Sequence, residues 1–92
     1  MADLLFEVWR DADGTSCWAV ERRSDEARRK VNPEAVFVRA FAASSFQDAM
    51  QQHYGAEGWG DYDPAPGADQ PFTSEQAAEQ QAYLAIRPKA GG

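Results

Sequence analysis

Asp11-Ala12-Asp13-Gly14-Thr15 sets two carboxylates one residue apart, directly after an apolar run. At that spacing one carboxylate can accept a phosphoryl group while its neighbour handles the leaving-group proton. A calcium loop does not fit, because the acids before Gly14 are one pair short and the twelfth position counted from Trp9 is Val20. His53 is the only histidine, and it falls on an apolar helical stripe, so a satisfied, partly buried ring is expected rather than a catalytic base. Cys17 is the only cysteine, which rules out an internal disulfide and a cysteine-based zinc site. With no helix N-terminus or cation assured beside it to lower its pKa, Cys17 is expected to be a spectator.

Two further stretches carry chemistry. Arg22, Arg23, Arg28, Arg29 and Lys30 put five bases in nine residues, but Glu21, Asp25 and Glu26 are interleaved with them. A solvated, salt-bridged face is therefore expected, one that could also hold an acidic segment of a second subunit. The loop Gly58-Trp59-Gly60-Asp61-Tyr62-Asp63-Pro64 is harder to account for by folding alone. It sits in a Gly/Pro/Asp-rich connection longer than most, and such loops are often functional. Trp59 and Tyr62 beside Asp61 and Asp63 suit capture of a cationic or planar group, such as an arginine side chain from a partner, and these four residues are the candidate binding site. Trp59 folded back as a lid, with Tyr62 packed beneath the second helix, is the structural alternative. The two are compatible if one face of each ring stays open.

These residues need elements to position them. Leu4–Trp9 alternates as a strand, with Leu4, Phe6 and Val8 on one face and Leu5, Glu7 and Trp9 on the other. Residues 18–22 form a second strand, and the Asp13-Gly14 turn closes the two as a hairpin. Ser24 caps a helix of a turn or two, with acids first and bases last, ended by Asn32-Pro33. Residues 35–41 concentrate β-branched and aromatic side chains, and their near-continuous apolarity predicts a central or doubly covered strand. From a cap at Ser44 or Ser45, Phe46, Ala49, Met50, His53 and Tyr54 share one helical stripe, ending near Gly55. Thr73 and Gln76 form a capping box, Phe72 staples onto Ala77, and a last helix runs to about Arg87. Its stripe of Ala77, Gln81, Leu84 and Ala85, flanked by Tyr83 and Ile86, is thin. Residues 88–92 are expected to be a flexible tail. The fold expected is α+β: one domain over residues 1–87, with a three-stranded, mainly antiparallel sheet and two main helices on one face. Both a meander and a sheet with the first strand central fit this order.

The chain has 92 residues, a net charge of −6, 43% hydrophobic residues and 12% aromatic residues. Seventeen residues are alanine, while Leu, Ile, Val and Phe together number only 14. Aromatics must then supply most of the core area, with alanines letting helices approach closely. No apolar run nears the ~20 residues of a membrane span, and the first ten residues lack a signal peptide's pattern, so a reducing cytoplasm is expected. The acidic balance disfavours direct nucleic-acid binding, which rests on Lys and Arg neutralising phosphates. Residues 44–92 hold seven acids against two bases, which admits a basic protein partner and, alternatively, an acidic nucleic-acid mimic that inhibits a basic-groove enzyme. The thin last helix and a free strand edge leave a homodimer open.

Two resemblances bear on function. Asp11 to Thr15 resembles the first motif of the haloacid-dehalogenase phosphatases, in which the first aspartate is the nucleophile and the second an acid/base. That family also needs a doubly wound sheet, a downstream lysine and a second acid pair for magnesium. Here Asp61 and Asp63 lie in a loop and Lys30 and Lys89 are the only lysines, so the pentapeptide is read as a turn, with no enzyme activity, metal or cofactor expected. Phe6-Glu7-Val8-Trp9-Arg10 with Asp13-Gly14, Gly58-Trp59-Gly60-Asp61-Tyr62-Asp63-Pro64, Pro71-Phe72-Thr73 and Gln80-Gln81-Ala82-Tyr83-Leu84 resemble a group of small bacterial proteins of unassigned function. The resemblance implies a bacterial cytoplasmic protein and no mechanism. The function expected is that of a small binding or regulatory module acting through protein contacts.

Overall fold

A computed structural model describes residues 2–87; the expected tail, 88–92, lies outside them. The elements are β1 (Leu4–Asp11), β2 (Gly14–Ala19), α1 (Arg22–Val31), β3 (Val36–Ala43), α2 (Phe46–Glu57) and α3 (Ser74–Ile86). The sheet is antiparallel throughout, in the order β2-β1-β3. This α+β architecture is the one its alternating and 3.6-residue patterns predict. Of the two sheet orders left open, the first strand is the central one.

The centre falls on β1 because its side chains are buried on both faces. Phe6 stacks on Phe41 at 5.8 Å and meets Phe72 at 5.9 Å. Leu4, Phe6, Ala43 and Ala49 form the buried cluster, with Cys17, Ala19, Met50 and Ala77 packed around it. Buried alanines on β3 and α2 bring strand and helix backbones close, as their abundance suggests. On the opposite face α1 lies over Trp9, whose ring holds the Arg28 guanidinium 3.6 Å from its centroid and meets Phe37 edge-on at 5.7 Å.

Several expectations need correction. β3 is an edge strand, not a central one, and its first residues, Val36 and Phe37, are exposed. Its apolar run serves both faces, Phe41 and Ala43 toward the helices and Phe37 toward Trp9, and no strand among the described residues lies on its outer side. A bulge falls between Val8↔Arg39 and Trp9↔Phe37. β2 starts earlier than predicted, at Gly14, because pairing propagates directly from the turn. α1 is a full ten residues with Glu21 at its N-cap, so Ser24 lies inside it. Asp25 in its first turn is held by Tyr83 and Arg87 at the end of α3, and Arg28 in its last turn covers Trp9 of β1, which together hold a helix that would be marginal alone.

α2 opens at Ser45, whose hydroxyl accepts the Asp48 N–H at 3.0 Å while Asp48 accepts the Ser44 N–H at 2.9 Å. It runs past Gly55 to end at Gly58, which takes the left-handed conformation that favours glycine (φ 73°). α3 has the predicted capping box, and Phe72 and Ala77 each pack against the buried cluster. Its buried stripe differs from the predicted one. Gln80 is buried, whereas Gln81 and Ala85 face out and Ile86 is 67% exposed. Gln80 accepts the Leu5 N–H at 2.7 Å and donates to the carbonyls of Leu5 (3.0 Å) and Val20 (2.9 Å). The amide thus continues the β1–β2 ladder where β2 stops. Polar groups do the work that the apolar count found wanting.

Candidate functional site

The Asp11–Thr15 segment forms the hairpin turn. Asp11 Oδ1 accepts the Asp13 N–H at 2.8 Å, an Asx turn that fixes the hairpin tip, and Gly14 has φ 134°, a conformation L side chains rarely adopt. Cys17 is also out of play. Burial pushes its thiol up to about 11, only partly offset by Arg39, so the thiolate is scarce near neutrality. Among the described residues, no group of three or more His, Cys, Asp and Glu side chains is arranged to hold a metal.

The loop after α2 is held against that helix. Once Gly58 has reversed the chain, the Trp59 N–H donates to the Tyr54 carbonyl at 2.9 Å. The Gln51 amide grips the next turn, accepting the Tyr62 N–H at 3.0 Å and donating to the Gly60 carbonyl at 3.5 Å. Trp59 meets His53 at 5.1 Å and Tyr54 at 5.2 Å, both edge-on. Tyr62 meets Tyr54 at 5.2 Å and Phe46 at 6.4 Å. Each pair has the crossed geometry that ring quadrupoles prefer. The five rings form one continuous strip along α2.

Of the four predicted site residues, the structure places Tyr62 half-buried in that strip and leaves Trp59 54% exposed. Trp59 is therefore both a lid over His53 and an open ring surface. Asp61 and Asp63 are exposed, and no ion pair among the described residues engages them. Elsewhere the molecule pairs rings with its own guanidiniums, Arg28 over Trp9 and Arg22 over Tyr83 at 5.3 Å. Among the described residues no cation lies over Trp59.

Under the lid lies a polar cluster that sequence reading missed. His53 is 4% exposed, and its Nδ1 lies 3.0 Å from Arg39 Nη2. Arginine can only donate, so Nδ1 accepts and the ring is neutral with its proton on Nε2. Burial, then the charge of Arg39, hold the His53 pKa below its ordinary value, although Glu57 pulls it up. Glu57 accepts from the Thr15 hydroxyl at 2.6 Å and lies 4.0 Å from Arg39 Nη1. The Thr15 hydrogen bond, with help from Arg39, His53 and Arg10, outweighs desolvation and keeps Glu57 below the usual carboxylate range. Arg39, Glu57 and Thr15 come from three elements, and only the strand register that sets Arg39 opposite Val8 could have pointed to them.

A second missed cluster lies under α1. Arg87 donates to both oxygens of Glu7, at 2.7 and 2.8 Å, and to both oxygens of Asp25, at 2.8 and 2.9 Å. Tyr83 donates to Asp25, and Trp9 donates through Nε1 to Glu7 at 3.1 Å. The basic segment is thus a salt-bridged face only in part, since Arg28 pairs with Asp25 at 3.5 Å and covers Trp9. Comparison of the chain with protein-family models, curated proteins and solved structures finds no match.

Proposed function

We propose that this chain is a small protein-binding module that captures a cationic side chain of a basic partner on the loop formed by Trp59, Asp61, Tyr62 and Asp63. One observation carries the reading: Trp59 offers an exposed ring, followed in the same loop by Asp61 and Asp63, which are exposed and engaged by no ion pair among the described residues, in a molecule that covers Trp9 and Tyr83 with its own arginines. A guanidinium over an exposed indole contributes about 0.5–1 kcal/mol and gains further from neighbouring carboxylates. Rigidity favours this use, because the loop is fixed by Gln51 and the Tyr54 carbonyl before any partner arrives. The acidic-mimic alternative is less favoured, since Asp48 caps α2 and Glu57 is engaged by Thr15 and Arg39. No helix among the described residues is long and apolar enough to cross a membrane. A bacterial cytoplasmic setting belongs to the proposal.

Calorimetric titration with an arginine-rich peptide tests it. Trp59→Ala should keep the wild-type circular dichroism spectrum and lose most of the affinity. Unfolding of both Trp59→Ala and Tyr62→Ala, with no peptide binding by wild type, would make the loop structural only.

A further inference from the structure

At the hairpin end of the sheet, on the side away from the Trp59 loop's helix, lies a cleft of about 600 Å³. Its apolar wall is Val31 at the end of α1 with Val36 and Phe37 at the start of β3, all exposed. Its rim carries Asp11, Asp13 and Glu34 against the single base Arg10. We infer that this cleft and the adjoining outer edge of β3 receive an extended, basic and apolar peptide segment of a partner protein, which adds as a fourth strand.

The edge supplies the main-chain half of the recognition. Val20 N–H donates to the Leu5 carbonyl, so Leu5 and, two residues on, Glu7 turn their main-chain groups toward β2. Their partners in β3, Ala42 and Ala40, therefore turn theirs outward. The Ala42 carbonyl is already taken by the Gln52 side chain at 3.0 Å, which closes the far end of the edge. Among the described residues no strand covers the near end, beside the cleft, and this is where a strand can add. The cleft supplies the side-chain half. Apolar residues of an added strand reach Val36 and Phe37, while cations meet Asp11, Asp13 and Glu34. A second copy of this chain fits poorly, because symmetric pairing would bring these acidic rims together in a chain already at −6. The site uses different residues from the Trp59 loop and stands without it.

The test uses a fluorescein-labelled peptide of alternating lysine and valine, about eight residues long, with glutamate–valine and lysine–serine controls. By anisotropy the lysine–valine peptide should bind at least about tenfold tighter than either control, and Val36→Lys should weaken it about tenfold. Val36 is 65% exposed, so this variant should fold as wild type, checked by its melting curve. Measured in a Trp59→Ala background, which removes the other proposed cation site, Asp13→Asn with Glu34→Gln should still weaken binding and flatten its salt dependence. Equal binding of the three peptides, no binding, or indifference to Val36→Lys would overturn the inference. So would a concentration-dependent dimer that Val36→Lys dissolves and the peptide displaces, since the occupant would then be a second copy.

Discussion

Arg87 closes on Glu7 through two hydrogen bonds, at 2.7 and 2.8 Å, joining residues 80 positions apart. The pair fastens the end of α3 beneath the central strand, and Asp25 of α1 shares the same guanidinium. A small acidic domain short of aliphatics thus ties three elements with one arginine.

Arg87→Ala should therefore destabilise the fold by about 3 kcal/mol, because it strands two buried carboxylates. Arg87→Lys should recover only part of that, since an ammonium cannot match two bidentate partners. Urea denaturation of both variants checks the order. Equal stability of Arg87→Ala and wild type would show that the cluster contributes nothing net.

Asp25 should give the acid limb of stability. Burial, to 3% exposure, works against its charged form, but hydrogen bonds from Arg87 and Tyr83 and the charges of Arg87 and Arg28 outweigh it and hold its pKa down. The unfolded chain then binds the proton more readily, so this contribution is complete above the unfolded value of about 3.9 and fades as pH falls through the lower folded one. Melting curves below pH 5 should be flatter for Asp25→Asn than for wild type.

His53 acts in a higher window. Its folded pKa is lowered, so the unfolded chain gains the proton first as pH falls below about 6.5. Stability from this site is full above that value and is lost as pH drops through the folded pKa, when a charged ring would face Arg39 and could no longer accept its hydrogen bond. His53→Gln should melt with less change between pH 7.5 and 5.5. A wild-type melting temperature that is unchanged over this range would contradict the neutral, accepting ring.

Gln80 should be as sensitive as a core hydrophobe. Gln80→Leu leaves the Leu5 N–H and the Val20 carbonyl without their Gln80 partner and takes one of two donors from the Leu5 carbonyl, a loss of about 2–4 kcal/mol. Gln80→Glu should fare no better, because a carboxylate would face two carbonyls. Thermal denaturation of both variants decides.

The elements were legible because their signals are local. The Asp-Gly turn, the Ser45 and Thr73 caps and the change of period after Phe41 each depend on a few adjacent residues. What escaped depends on residues far apart. Nothing near Arg87 says that Glu7 and Asp25 await it, and Gln80 reads as polar surface until the early end of β2 leaves the Leu5 N–H without a strand partner. β3 misled for a related reason: an apolar run shows that both faces can be covered, and says nothing of which edge is paired. The aromatic loop was visible as an excess that folding did not need, while His53, Arg39 and Glu57 beneath it are united only by strand register and helix phase.

The central claim concerns Trp59, and its indole N–H resonance tests it most directly. In a titration of ¹⁵N-labelled protein with a short arginine–glycine peptide, that resonance and the amides of residues 60–63 should shift saturably, and Asp61→Asn with Asp63→Asn should weaken the effect. A Trp59 resonance that stays in place while the peptide binds elsewhere, or that shifts equally with a glutamate–glycine peptide, would contradict it.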